Sequence, residues 1–319
     1  MTRDKQLAAG VLALVLFGGL ALKQMRDDEK LGSKAAQEAA LPKFETLEGA
    51  EKLTVTNGDK GEVVLEKQGS DWQLVKPLAT KANGQNVKLA LDNLAELKVR
   101  EQVAATPDAE LTKSYELDGA KGVHVVVSKG GKSLLDVTFG KSGGRGQLLS
   151  VTGTPAIFAA TGFSSYLFTR ETKGWRDAEV TKFDEAKVTA LHYVIGKRTL
   201  DFALSDTTWS GSEGGKPIER FDGERTRDAL RAMQTLTADD FADGKADADL
   251  GLEKPTGELT FELKEGASIK LAIGAETPSK GRWVRRAGST VATALPSYAV
   301  DWLLPETSKF QKAAADAGK

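Results

Sequence analysis

The chain has 319 residues, enough for one large domain or two ordinary ones, and its 44 Lys and Arg nearly balance its 45 Asp and Glu. That balance provides no global field to recruit nucleic acid or steer an acidic substrate. There is no Cys, and His124 and His192 are the two histidines, so disulfides, thiol nucleophiles, cysteine-ligated zinc and a His-rich metal cluster are excluded; no cofactor is implied.

Residues 1–6, with Arg3 and Lys5, precede an uncharged run from Leu7 to Leu22. The run is somewhat shorter than the ~20 residues that cross ~30 Å of hydrocarbon. Gln6 and Lys23 can lengthen it, because Lys snorkels and bilayers thin locally. A cleaved signal peptide is the competing reading, but its best cleavage site, Gly19-Leu20-Ala21, is weak. An uncleaved transmembrane anchor over residues 7–22 is expected, with residues 1–6 in the cytoplasm. Lys23, Arg26, Lys30 and Lys34 follow the span, and a positive-inside count would keep the body in the cytoplasm. Long domains translocate largely regardless of charge, so an extracytoplasmic body is expected. Residues 23–48 read as a linker.

Beyond the linker one unit is written twice. Trp72 matches Trp209, a shift of 209 − 72 = 137. Pro77 and Pro217 follow, with a Gly-rich insertion before the second. Asn83-Gly84-Gln85 matches Asp222-Gly223-Glu224, each led by a residue able to accept a free backbone N–H of a first helical turn. Ala90, Leu91, Leu94 and Leu97 match Ala229, Leu230, Met233 and Leu236, and each set makes one apolar helical stripe. Tyr115 to Asp118 matches Leu250 to Glu253, and an alternating hairpin follows. In it Val125, Val127, Leu135, Val137 and Phe139 answer Leu259, Phe261, Ile269, Leu271 and Ile273. Gly140 and Gly274 end the hairpins, Gly144-Arg145 and Gly281-Arg282 introduce short strands, and Tyr166 and Tyr298 close the units. Two further strands precede each Trp.

The expected fold class is α+β: a duplicated mixed unit of strands, one helix, a β-hairpin and short strands. It gives two similar lobes, residues 49–177 and 178–305, and a flexible tail at 306–319. Trp72, Trp209 and both helical stripes are expected in the cores. A period of well over a hundred residues marks domain duplication, not a solenoid.

Trp72, Leu74 and Pro77, the Leu91, Leu94 and Leu97 helix, Leu117-Asp118, Gly140, and Trp175-Arg176-Asp177 together resemble domain-of-unknown-function family 4340. The resemblance spans most of the chain after about Lys52; the second copy departs from it, because Trp209 and Pro217 stand further apart than Trp72 and Pro77. It implies a bacterial inner-membrane protein with one N-terminal anchor and a periplasmic bulk. It also implies an integral-membrane partner, since such proteins are often encoded beside ABC transporters of the gliding-motility type. No catalytic residue comes with it.

Four stretches invite a chemical reading. Gly140 to Gly144 spells G-x-S-x-G, and Ser142, Asp184 and His192 form a nominal triad, but a nucleophile elbow needs a helix after the turn and a strand follows here. Asp239, Asp240, Asp243, Asp247 and Asp249 offer oxygen ligands without the spacing of a calcium loop. Arg227 and Arg231 lie four apart on one helix face, a candidate partner-binding surface. Trp283 lies among Arg282, Arg285 and Arg286 on a strand suited to an acidic partner or a glycan. The expected function is therefore a non-enzymatic, membrane-anchored subunit accessory to an ABC-type transporter. An anchored cell-wall glycan-binding module is the alternative, and a serine hydrolase built on Ser142 is the third reading.

Overall fold

The computed structural model describes residues 40–313. The apolar run from Leu7 to Leu22, read as the anchor, lies outside the described residues. Among the described residues no helix is long and apolar enough to cross a membrane. The chain divides into two compact units, the first ending at Asp177 and the second starting at Ala178.

Unit 1 contains strands β1 (Lys52–Asn57), β2 (Gly61–Gln68), β3 (Asp71–Lys76) and β4 (Thr80–Lys81), then helix α1 (Gly84–Ala95). Strand β5 (Lys98–Ala104) and the short helix α2 (Ala109–Ser114) come next. The unit closes with β6 (Val123–Lys129), β7 (Lys132–Gly143), β8 (Gly146–Val151) and β9 (Ile157–Thr161). These strands form a nine-stranded sheet in the order β4-β3-β2-β1-β6-β7-β8-β9-β5. Every ladder in it is antiparallel.

Unit 2 repeats the plan. It runs through β10 (Val188–Ile195), β11 (Arg198–Ser205), β12 (Thr208–Glu213), β13 (Lys216–Pro217), α3 (Gly223–Met233) and β14 (Asp240–Phe241). Then come β15 (Gly257–Leu263), β16 (Ser268–Glu276), β17 (Arg282–Arg286), β18 (Thr293–Leu295) and α4 (Ser297–Leu303). The strand order, β13-β12-β11-β10-β15-β16-β17-β18-β14, maps onto that of unit 1 strand for strand. The two lobes are thus similar, as the repeat predicts. Each is dominated by antiparallel sheet, with fewer helical residues and more strands than a mixed α+β unit suggests.

Period-two alternation explains the core. In unit 1 the inward residues Leu53, Val55, Val125, Val127, Val137 and Phe139 are fully or almost fully buried, and Val87, Ala90 and Leu94 of α1 join the same cluster. In unit 2 Leu191, Tyr193, Leu259, Phe261, Leu271 and Ile273 meet Ala229, Leu230 and Met233 of α3. Each such aliphatic or aromatic side chain contributes about 1.5–3 kcal/mol on burial. Both helices start where the sequence places them. Asn83 accepts from the backbone N–H of Asn86 at 3.0 Å, and Asp222 from that of Glu224 at 3.2 Å. Trp209 is buried in its core, whereas Trp72 is half-buried against the edge of the other.

The junction tripeptide belongs to unit 1. Trp175 is fully buried, its carbonyl accepts from Asn83 N–H at 2.8 Å, and Asp177 N–H donates to the Lys81 carbonyl at 2.9 Å. Arg170 lies over the Trp175 ring, 4.8 Å from its centroid, and burial holds its guanidinium below its ordinary pKa. Unit 2 makes the same closure with residues read as a flexible tail. Phe310 is fully buried, its carbonyl accepts from Asp222 N–H at 2.8 Å, and Lys312 N–H donates to the Arg220 carbonyl. The segment from Glu306 to residue 313 is therefore part of the lobe. The end of the expected linker also packs, since Leu41, Phe44 and Leu47 lie against the unit 1 core.

Candidate functional site

The expected partner-binding arginines are engaged within unit 2. On α3, Arg227 and Arg231 both pair with Glu185, at 3.7 and 3.2 Å, and Arg231 also meets Asp228 at 3.2 Å. Their positive charge is largely balanced on the spot. On β17, Arg285 makes a two-pronged ion pair with Asp247, at 2.6 and 2.5 Å. Arg282 donates to the Gly274 carbonyl, and Arg286 to that of Val180.

Trp283 is buried, 6% exposed, in a small cluster with Ala242, Leu250, Ala292 and Ala294. Lys245 sits over its ring, 4.6 Å from the centroid. The Asp-rich loop thus works as a cover. Asp247 grips Arg285, Lys245 caps Trp283, and Leu250 packs beneath. No group of three or more His, Asp or Glu that could hold a metal ion occurs among the described residues. The Trp283 ring is turned into this cluster, away from any sugar in solution.

The nominal triad is not assembled by its local geometry. Ser142 lies in β7, opposite Gln147 of β8, in a strand–turn–strand setting. Asp184 caps a short helical turn by accepting from Ala186 N–H at 3.0 Å. His192 bonds instead to Asp201, with Nδ1 2.9 Å from the carboxylate.

That last contact belongs to a pattern that the sequence does not display. Both histidines lie on the outer faces of the sheets, away from the helices, each against an Asp of a neighbouring strand. His124 Nε2 is 2.8 Å from Asp136, which also accepts from Thr152 Oγ1 at 2.5 Å. Register organises these faces into rows. In unit 1 one row reads Glu62, Thr56, His124, Thr138 and Ser150 across five strands. In unit 2 the matching row reads Thr199, Val194, Glu258, Ala272 and Arg285. Beside it runs Asp201, His192, Thr260 and Lys270.

Alanine at the fourth place of the unit 2 row leaves a depression of about 270 Å³. Glu258, Thr260, Lys270 and Arg285 line it, and Gly288 and Ser289 form part of its rim. Alternation marks Glu258 and Lys270 as outward-facing. That they flank a gap depends on which residue stands opposite which, information that a single strand's sequence lacks.

Among known proteins, a family model described as a domain of unknown function (DUF4340) matches residues 72–255, more than half of the chain. No curated protein and no solved structure matches.

Proposed function

The chain belongs to the DUF4340 family, and because that family is defined by a domain of unknown function, we propose a role from the chain's own architecture. It is a non-enzymatic subunit of a membrane complex, anchored by Leu7 to Leu22 in the bacterial inner membrane with its bulk in the periplasm. Its partner is an integral-membrane protein of the ABC-transporter type. The observation that carries this reading is the duplicated sheet: two lobes of identical strand order, each with one face packed under a helix and the other carrying partly exposed polar residues such as His124 and His192. Such a body presents surface. Its best-placed arginines and its His–Asp pairs are already matched within their own lobe, as suits a protein that works by contact. An anchor restricts the body to the membrane plane and raises its effective concentration toward a membrane partner.

Purification of the full-length chain from its native membranes in mild detergent tests the reading. One integral-membrane protein should accompany it at fixed stoichiometry, and charge reversal at Arg227 and Arg231 should weaken the association if α3 is the contact. A full-length chain that purifies as a monomer with no membrane protein would remove the support for a subunit role.

A further inference from the structure

The depression on the unit 2 sheet differs from its counterpart in unit 1 in a way that suggests a ligand. The positions correspond at a constant shift: His124 to Glu258, Asp136 to Lys270 and Thr138 to Ala272, each by 134. In unit 1 the first two residues bond to each other at 2.8 Å, and Thr138 fills the row between His124 and Ser150. The surface there is closed by its own side chains. In unit 2 the acid and the base change places, and the small residue opens the floor. Glu258 and Lys270 pair neither with each other nor with any other charged side chain among the described residues. Both are exposed. Arg286 stands opposite the inward-facing Leu271 and donates to the Val180 carbonyl, so its guanidinium lies on the other face of the sheet. Arg285 is neutralised by Asp247 and closes the far end.

We propose that this depression binds a small zwitterion carrying a primary ammonium and a carboxylate, such as an amino acid or a short peptide with free ends. The ammonium meets the Glu258 carboxylate. The carboxylate meets the Lys270 ammonium, with the Thr260 hydroxyl between. Size agrees: adjacent strands are about 4.8 Å apart, so Glu258 and Arg285, two strands apart, frame about 10 Å. The volume lies just below the usual range for drug-sized ligands, which favours a compact guest. Charge pairs in a half-sheltered site discriminate better than they bind, so affinity should be modest and selectivity for both charges high.

The site is independent of the subunit role, and its test does not involve a membrane partner. Glycylglycine, its N-acetyl form and its C-terminal amide are titrated onto the full-length protein in detergent, with binding read from ligand saturation-transfer NMR. Glycylglycine should bind saturably, and each blocked form at least tenfold more weakly. Glu258→Gln should abolish the preference for the free ammonium while keeping the preference for the free carboxylate. Lys270→Gln should do the reverse. Ala272→Leu, which fills the floor, should abolish binding with unchanged far-ultraviolet circular dichroism. Absence of saturable glycylglycine binding overturns the proposal, as does binding by Ala272→Leu protein that equals wild type. Should Ala272→Leu fail to fold, the Glu258→Gln arm decides, because an exposed isosteric change leaves the fold intact. An unaltered preference in that variant overturns the assignment.

Discussion

Tyr193 stands on β10 fully buried, and its hydroxyl donates to the Trp302 carbonyl at 3.0 Å. Burial disfavours the phenolate and pushes its pKa far above the ordinary value of 10. In the unfolded chain the same group ionises near pH 10. Below that pH the neutral phenol is present in both states, and the stabilisation is complete. Above it the unfolded state alone loses its proton, so stability falls with rising pH by up to about 1.4 kcal/mol per unit. Urea titrations between pH 9 and 11 should show this loss, and Tyr193→Phe should flatten it. An alkaline slope unchanged in the Phe variant would assign the loss to other groups. Arg285 makes a second prediction at this scale. Its Nε is already buried without a partner, so Asp247→Ala leaves a half-sheltered guanidinium with neither counter-charge nor acceptor. That change should cost about 1–3 kcal/mol. Arg285→Met combined with it should recover part of the loss, which a double-mutant cycle would measure. Strict additivity would mean that the pair contributes nothing beyond its separate parts.

Single elements explain why the repeat is legible in some places and obscure in others. The alternating strands, both capped helices and the glycines Gly140 and Gly274 stand in the sequence because each solves a local problem. The two glycines, expected to end the hairpins, lie at register shifts within strands that run on past them. A side chain at Gly140 would put its Cβ 2.2 Å from the Tyr115 carbonyl, and at Gly274 the same distance from that of Leu250. In both lobes the preceding turn is bonded to the strand at that point, Lys141 N–H to Tyr115 and Ala275 N–H to Leu250. Gly274→Ala should therefore break the closure and lower the urea midpoint, at a cost of about 1–3 kcal/mol or more. A midpoint unchanged by the substitution would show that the turn is not held there. The next glycine match needs correcting. Gly281 answers Gly146, not Gly144: added Cβ atoms at 281 and 146 would strike the carbonyls of Leu295 and Ala160, whereas Gly144 faces open space. Sequence offset alone chose the wrong neighbour because β7 runs on to Gly143, past the expected hairpin end. Strand β5 leaves no signature in the sequence because it is an edge with mostly exposed residues and no alternation, and β14 leaves none because it is two residues long. The depression beside Ala272 was hidden for a related reason. Every residue in it is ordinary, and cross-strand register alone brings them together.

At the scale of the whole molecule, the two cores close separately. The unit 1 cluster draws its buried residues from Ala50 to Trp175, and the main unit 2 cluster from Val180 to Phe310. Each sheet is completed within its own unit, and each helix start is bonded to its own closing segment, Trp175 in one and Phe310 in the other. Cooperativity follows shared buried contacts, so these lobes should unfold as two units. Trp175→Ala empties a fully buried site and should cost unit 1 about 3–5 kcal/mol. For a unit of this size that lowers its melting temperature by roughly 10 °C or more. The second transition should stay where it is, and Phe310→Ala should act in the mirrored sense, lowering unit 2 alone. Scanning calorimetry of the wild type and both variants measures this directly. A single transition that moves as one body in both variants would mean that the lobes share stability, and the duplication would then have produced one folding unit where its topology suggests two.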